Sequence, residues 1–227
     1  MMPKKRRKRV KKETKLWGLI SYKPRWGLSI VGWLGILLTL ACFFWLLLFK
    51  LEPFLAHSAP VEAEILVVEG WIADEGIIGA INEFESKSYE LVITAGSPFG
   101  RGEYLSEYQD FANLSKATMT TLGFDPDKIQ PVKTPKVIRD RTLASAGAVK
   151  KWLNKTELDP RAINVYTVDV HSRRTWLLYK KVFEPEITVG IISHPPLDYD
   201  PNAWWASSEG FRKVFSEGIA YIYAKFL

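Results

Sequence analysis

Cysteine is almost absent from this chain, and its scarcity excludes several kinds of site. The 227 residues include one cysteine, Cys42, which lies inside an apolar run. An intramolecular disulfide and a cysteine metal site are therefore excluded, so a fold outside the cytoplasm has to rely on its core alone. Only three histidines are present, and a zinc site would need carboxylates to complete it. No metal ligands are predicted.

The usual cofactor motifs are missing as well. The first strand-like run is followed by Glu69-Gly70-Trp71, which lacks the G-x-G-x-x-G spacing that lets a backbone approach a pyrophosphate. Neither a P-loop nor a G-x-S-x-G elbow occurs anywhere in the chain. A dinucleotide oxidoreductase is therefore not expected, and the cofactor stays unknown.

What the chain does contain, near its start, is a long apolar run. Residues 27–49 carry no charge, and a helix of that length covers the roughly 30 Å hydrocarbon core of a bilayer. Trp26 and Trp45 lie near its ends, where aromatic rings favour the headgroup region. Residues 1–25 hold 11 basic residues and one acidic residue, and such flanks stay in the cytoplasm. The sequence predicts a membrane helix over residues 26–49, with the N-terminus inside.

Two other interpretations of this region are weaker. A basic run can bind nucleic acid, but directly before an apolar run it is typical of a topology determinant and of contact with anionic lipid. A signal peptide has an apolar stretch of only about 7–15 residues, which is shorter than this one. We therefore expect an uncleaved single-pass anchor, with the lipid bilayer as a partner and no nucleic acid.

The remainder of the chain has a different charge balance. After residue 25 there are 20 basic and 24 acidic residues, so the field of the bulk domain does not favour polyanions and anion recognition falls to local clusters. Residues 50–59 are predicted to form a tether. Residues 60–227 suffice for one well-buried domain.

Within that domain, apolar runs alternate with segments of helical period. Strands are predicted at residues 64–70, 90–96, 164–170 and 187–193, with a weaker one near 129–132. Helices are predicted at about residues 74–87, 106–122, 141–154, 172–183 and 210–226. Nearly continuous Val- and Ile-rich runs are typical of strands covered on both faces. The alternation predicts an α/β fold: a Rossmann-like, doubly wound and mostly parallel sheet with helices on both faces.

In such sheets, ligands bind beyond the carboxyl ends of the strands. The candidate residues after the first two strands are Glu69, Gly70, Thr94, Gly96 and Ser97. The glycine-rich segment 96–102 is interpreted as a loop that either closes over a ligand with Arg101 or is an ordinary surface connection.

The segment that follows the next strand contains His171, Arg173 and Arg174 at the start of a helix. A histidine and two arginines at a positive helix terminus suit a phosphate or carboxylate. The alternative is that these residues lie in a solvated loop and an ion pair.

A similar choice applies to the four residues Arg139-Asp140-Arg141-Thr142. Asp140 or Thr142 would cap a helix, whereas two arginines in its first turn oppose the helix dipole. An anionic ligand or a buried acid would offset that cost. Glu69 is the natural acid, as an ion-pair partner or as a catalytic group.

The order of these segments carries a resemblance. After the apolar run come a Thr-Ala-Gly-Ser strand end at 94–97, a helix closed by Leu122-Gly123, an Arg-Thr-x-x-x-Ala helix start at 141–146 and Thr-x-x-x-His-x-x-Arg at 167–174. Over residues 64–192 this order resembles the ElyC/SanA/YdcF family of bacterial envelope proteins, which have a Rossmann-like domain of unknown function. The family commonly has a glycine-rich first strand end and an Asn-Ala pair after the Thr, where this chain has Glu69-Gly70-Trp71 and Ala144-Ser145-Ala146. The resemblance implies the inner membrane and a role in homeostasis of peptidoglycan or envelope polysaccharide.

Three functions are carried forward. The leading hypothesis is an anchored extracytoplasmic protein that binds an anionic metabolite such as a polyprenyl-phosphate-linked saccharide; the sequence leaves open whether it also processes that metabolite as an enzyme. In an enzyme, His171 would be the acid or base, Arg141 and Arg174 would stabilise an oxyanion, and Glu69 would orient His171 or act as a second base. The alternatives are a non-catalytic membrane scaffold that uses one of the adjacent Trp204 and Trp205, and a nucleotide binder.

Overall fold

The structure, a computed structural model, describes residues 14–15, 20–22, 26–100 and 105–227. The chain forms two units, one ending at Phe49 and the other beginning at Lys50. The first unit contains a small antiparallel sheet in the order β1-β2-β3, and its strands are β1 (Thr14–Lys15), β2 (Ile20–Tyr22) and β3 (Trp26–Leu28).

Helix α1 (Ile30–Leu55) has 26 residues and a mean hydropathy of 2.4 over its most apolar window, and it is long and apolar enough to cross a membrane. Its last six residues belong to the second unit, so the predicted tether at 50–59 is helical as far as Leu55. The helix continues because Leu55 is fully buried and its carbonyl oxygen accepts a hydrogen bond from Ser172 Oγ at 3.0 Å.

The second unit is built on one five-stranded parallel sheet. Its strands are β4 (Ile65–Glu69), β5 (Leu91–Gly96), β6 (Ile129–Lys133), β7 (Ala162–Val168) and β8 (Thr188–His194), in the spatial order β6-β5-β4-β7-β8. The chain leaves β4 towards one edge and returns to β7 towards the other, so the strand order reverses between β4 and β7. Such a reversal is where doubly wound sheets place their ligands.

Helices cover both faces of this sheet. Along β4, Leu66 and Val68 pack under α2 (Asp74–Glu85) and α3 (Phe111–Thr121), whereas Ile65 and Val67 pack under α4 (Arg141–Leu153) and α5 (Ser172–Phe183). A further helix, α6 (Ser208–Lys225), lies against α5, where Lys181 Nζ donates to the Ala224 carbonyl oxygen at 2.7 Å. The predicted α/β fold with helices on both faces is confirmed.

Two predicted elements differ in detail. Helix α3 begins at Phe111 rather than near residue 106, because Asp110 caps it by accepting a hydrogen bond from the Asn113 N–H at 2.8 Å. The weakly predicted strand near 129–132 is β6. Pro131 is tolerated there because, within the part of the chain that the structure describes, β6 is an edge strand that pairs with β5 alone.

The adjacent tryptophans divide between core and surface. Trp204 is fully buried against Phe211 and Phe215, and Trp205 is half-buried with its ring edge-on to Trp204 at 5.8 Å. Trp204 therefore packs inward.

Candidate functional site

A cavity of about 660 Å³ opens at the carboxyl ends of the central strands of the second unit. The ends of β4 and β5, the starts of α4 and α5, and the second half of α6 all line it. Its acidic and basic lining residues, with its histidine, are Glu69, Asp140, Arg141, His171, Arg174 and Glu217. The position agrees with the strand-end argument made from the sequence.

His171 is the hub of the cavity. Its Nδ1 lies 3.1 Å from Glu217 Oε1, and its Nε2 lies 3.5 Å from both Glu69 Oε2 and Thr142 Oγ1. The edge of the Trp71 ring meets the imidazole at 5.0 Å between centroids. One histidine therefore lies between two carboxylates that come from opposite ends of the domain sequence.

A tight turn fixes the position of His171. Asp169 directly follows β7 and has a left-handed φ of 57°, and its side chain accepts hydrogen bonds from Tyr199 OH and from the Val170 N–H. Asp residues tolerate this backbone region better than most. The turn delivers His171 to the start of α5 with its ring in the cavity.

Arg174 follows one helical turn later and is already engaged. Its Nε donates to Glu217 Oε2 at 2.8 Å and its Nη2 to Glu217 Oε1 at 3.0 Å, which is a bidentate pair. Its Nη2 also lies 2.9 Å from His171 Nδ1. Arg174 therefore positions the histidine and its carboxylate.

This pairing controls the charge of Glu217. Burial alone would raise the pKa of Glu217, but hydrogen bonds with His171 and Arg174, together with their charges, lower it to about 2. Burial also disfavours the charged form of Arg174, yet the bond to Glu217 raises the Arg174 pKa above its ordinary value. Glu217 is therefore an ionised acceptor at neutral pH.

The tautomer of His171 follows from which neighbour Nδ1 uses. If Nδ1 donates to Glu217, the neutral ring has a lone pair on Nε2, which then acts as a base. If Nδ1 accepts from Arg174, the proton is on Nε2, which then acts as an acid. The arrangement thus supports proton transfer in either direction at one atom.

Glu69 ends β4 with its side chain almost entirely buried. Its Oε2 accepts hydrogen bonds from Thr167 Oγ1 at 2.5 Å and from Thr175 Oγ1 at 3.3 Å. Within residues 26–100 and 105–227, Glu69 Oε1 has no hydrogen-bond partner, although the residue lines the cavity. This oxygen is therefore open to a ligand or to water in the cavity.

Helix α4 presents its N-terminus to the same cavity. Asp140, its N-cap, adopts a left-handed φ of 55° and makes no side-chain capping bond to the first turn. The first-turn N–H groups and the positive end of the helix dipole are therefore available to an anion. Arg141 and Thr142 follow at the cavity wall, with Arg141 exposed and Thr142 buried.

Eight of the twelve predicted site residues line this cavity: Glu69, Gly96, Ser97, Asp140, Arg141, Thr142, His171 and Arg174. The structure brings them together from β4, β5, α4 and α5. Arg101, in the predicted closing loop, lies outside the described residues.

Gly70 and Thr94 have packing roles instead. The Gly70 carbonyl oxygen accepts from Ser115 Oγ at 2.8 Å, and a Cβ on Gly70 would lie 2.6 Å from the Phe111 carbonyl oxygen. Thr94 is buried and donates to the Ala112 carbonyl oxygen at 2.9 Å. Both residues fasten α3 to the sheet, and neither lines the cavity.

Arg139 and Arg173 also lie away from the cavity lining. Arg139 is exposed just before α4. The Arg173 guanidinium stacks over the Phe54 ring at 4.1 Å, and its Nε donates to the Phe54 carbonyl oxygen near the end of α1. Because helix carbonyls at a C-terminus lack partners within the helix, Arg173 has a structural role there.

Sequence reasoning missed Glu217, which lies 43 residues after Arg174. A signal was present, since Glu217 is the one charged residue in the stretch 214–224. A lone acid on an apolar helix face needs a partner when that face is buried.

The comparisons assign no family. No protein-family model matches the chain, and no curated protein matches it. The roles proposed below therefore rest on the geometry of the described residues, and the envelope-family resemblance remains a proposal.

Proposed function

We propose that this chain is a membrane-anchored, extracytoplasmic protein of the bacterial envelope that binds a phosphate-bearing metabolite and acts on it by proton transfer at His171. The observation that carries the proposal is that one cavity is lined both by His171, which lies between Glu69 and Glu217, and by the uncapped N-terminus of α4. The ElyC/SanA/YdcF resemblance and a role in cell-wall or surface polysaccharide homeostasis belong to the same proposal.

An anion is the ligand class that the free groups favour. Within the described residues Arg141 makes no ion pair, it lines the cavity, and it adjoins the first-turn N–H groups of α4. Phosphate groups bind such helix termini through backbone N–H groups and the helix dipole. Arg174, by contrast, is neutralised by Glu217 and contributes position more than free charge.

The chemistry would be hydrolysis or transfer at the phosphate group. His171 Nε2 takes a proton from the attacking water or hydroxyl as the new bond to phosphorus forms, while solvent water protonates the leaving oxygen on the opposite side of phosphorus as the old bond breaks; the imidazolium then returns its proton to solvent. Glu217 stabilises the imidazolium that forms in between, in the manner of the carboxylate of a catalytic triad. Glu69 offers its free oxygen to orient the attacking group.

The binding step is tested with the full chain in lipid nanodiscs. A thermal-shift screen compares inorganic phosphate, sugar phosphates, nucleotides and polyprenyl phosphates, because a ligand that binds only the native state raises Tm. The expected result is a phosphate-dependent shift that Arg141→Ala abolishes. A shift confined to nucleotides, with base and sugar both required, would replace this proposal with the nucleotide-binding alternative.

Anchorage and orientation are supported by the apolar helix α1 and by the basic residues that precede it. A reporter fused after Leu227 that is active only outside the cytoplasm is expected to be active. Activity of a strictly cytoplasmic reporter at that position would overturn the proposed compartment.

One observation favours the scaffold function as a second candidate. Helix α6 exposes a stripe of apolar side chains, Phe211, Ile219, Ile222 and Phe226, on the face that the second unit leaves uncovered. Stripes of this kind mark interaction sites. Co-purification of a partner that is lost in Ile219→Ser and Ile222→Ser, with no response to any phosphate compound, would favour the scaffold.

A further inference from the structure

The cavity has two chemically different walls. One wall holds Glu69, Thr142 and His171, with the N-terminus of α4 beside them. The other comes from α5 and α6 and is apolar; its members are Leu178, Ala220, Tyr223, Ala224 and Leu227. A ligand that was polar throughout would leave the second wall in water.

The two walls join on helix α6. Glu217, which bonds to His171, is followed on the same helix face by Ala220 and Ala224, at the i+3 and i+7 positions. Seven residues at 1.5 Å each place Ala224 about 10 Å along the axis from Glu217. The lining therefore changes from charged to apolar in one direction, beginning at the histidine.

The apolar wall reaches the surface. Leu178 and Ala224 are 1 % exposed, whereas Tyr223 and Leu227 are 54 % and 49 % exposed. A hydrocarbon chain lying on this wall would therefore contact chiefly Tyr223 and Leu227, where the wall opens to the outside.

The same helix packs against the end of α1. Gly218 lies beside Leu51, and the Tyr221 ring meets the Phe54 ring edge-on at 5.4 Å between centroids. Leu51 follows the apolar segment of residues 27–49 by only two positions. Helix α6, which forms the apolar wall, therefore packs against residues 50–55, the part of α1 that directly follows the apolar run of residues 27–49.

We propose that the ligand of this cavity is an amphiphile, with its phosphate or pyrophosphate at the polar wall beside His171 and its hydrocarbon chain along α6. This inference rests on the proposed phosphate-binding function and narrows it to phosphates that carry a long apolar chain. A soluble sugar phosphate fills only the polar half of the cavity. A phosphate attached to a lipid fills both halves.

A chain-length series tests the inference. Methyl, butyl, hexyl and octyl phosphate are titrated calorimetrically into the full chain in lipid nanodiscs, with empty nanodiscs subtracted to remove partition into the bilayer. Each methylene buried on the apolar wall contributes about 0.8 kcal/mol, which is roughly a fourfold fall in Kd per methylene. Octyl glucoside, which has the same octyl chain but no phosphate, is the control that tests whether the anion is needed for binding.

Two pairs of variants test where the hydrocarbon chain of the ligand lies. The pair Tyr223→Ser and Leu227→Ser, at half-exposed positions, is expected to flatten the dependence of Kd on chain length and to leave the Kd of methyl phosphate unchanged. The matched pair Ile219→Ser and Ile222→Ser removes similar apolar area from the same helix outside the cavity and should leave the slope intact. Arg141→Ala should weaken all four phosphates by the same factor.

The outcomes separate the two proposals. If methyl phosphate binds in an Arg141-dependent way but Kd does not change with the length of the hydrocarbon chain, the inference of an amphiphilic ligand is wrong, whereas the proposed phosphate site is retained. The amphiphile is also wrong if the control pair flattens the slope as much as the cavity pair does. If octyl glucoside binds as tightly as octyl phosphate, or if no phosphate binds, the phosphate-binding function itself is wrong.

Discussion

The sheet has a cavity at each end, and the larger one is the poorer candidate for a site. The cavity at the amino ends of the strands is about 810 Å³, against about 660 Å³ at the carboxyl ends. In the larger one, Asn164 bonds to the backbone of Val61 through both Oδ1 and Nδ2, at 3.0 and 2.7 Å, and also to Tyr89 OH. Tyr89 in turn donates to Glu83.

The difference lies in which polar groups have partners. At the amino end the buried polar groups satisfy one another, so that network fastens the strand starts and requires no ligand. At the carboxyl end, Glu69 Oε1 and the uncapped N-terminus of α4 lack hydrogen-bond partners from the described residues, and both residues 69 and 140 line the cavity. Polar groups that lack hydrogen-bond partners therefore distinguish a candidate binding site from an ordinary cavity better than the cavity volume does.

The largest effect is expected from His171→Ala. Loss of a general acid or base reduces turnover by roughly 10² to 10⁴-fold, and here it should do so for any phosphate substrate that the screen identifies. The matched control is His194→Ala, since His194 also ends a strand but bonds to Tyr166 OH at 2.8 Å outside this cavity. Equal loss of turnover in the two variants, measured in the same assay, would contradict a catalytic role for His171.

Glu217→Ala should cost the most stability. It leaves Arg174 and His171 partly buried without their carboxylate, and breaking a buried pair in this way costs about 3–5 kcal/mol of unfolding free energy. Glu209→Ala is the control, because Glu209 pairs with Arg212 on the exposed side of the same helix. Denaturant unfolding of the full chain in detergent measures the free energy of unfolding of both variants. Similar losses in the two would show that the Glu217 ion pair contributes no more to stability than an exposed one.

Acid should reveal the same network. The pKa of Glu217 is lowered from its ordinary 4.5 to about 2, so the stability that the ionised carboxylate confers is complete above about pH 5 and is lost as pH falls from 5 towards 2. The loss should be on the order of 3 kcal/mol. Glu217→Gln should be less stable at pH 7 and should show less additional loss in acid; an unchanged pH profile would contradict the assignment.

The smallest effect is expected at the other cavity. Asn164→Ala leaves the Val61 backbone and Tyr89 OH without their partner, at a cost of about 1–3 kcal/mol. Turnover and phosphate binding should stay at wild-type values in the protein that remains folded. A loss of binding in Asn164→Ala, at unchanged Tm, would mean that the amino-end cavity takes part in function.

Much of the fold was predictable because its strands are covered on both faces. Continuous Val and Ile runs mark β4 and β5 directly, since no polar alternation is needed where helices pack on each side. The position of the site followed from the topology, because Glu69 and His171 each directly follow or end a central strand.

The remaining features depended on tertiary packing that local patterns do not encode. Arg173 and Arg174 are adjacent in sequence, yet a helix places them about 100° apart around its axis, so one binds the end of α1 and the other binds Glu217. The sequence within ten residues of either arginine does not predict which carboxylate or carbonyl oxygen that arginine binds. The apolar wall was missed for the same reason, since the amphipathic pattern of α6 does not say which helix it packs against.

Helix α6 supplies a carboxylate that the histidine needs, and it follows all five strands of the sheet in the chain. During synthesis the strands and helices α2 to α5 emerge before it. Until α6 docks, His171 and Arg174 lack the acid that fixes their geometry. Under the proposed function, proton transfer at His171 is therefore withheld from partly assembled molecules, because the order of chain emergence completes the site last.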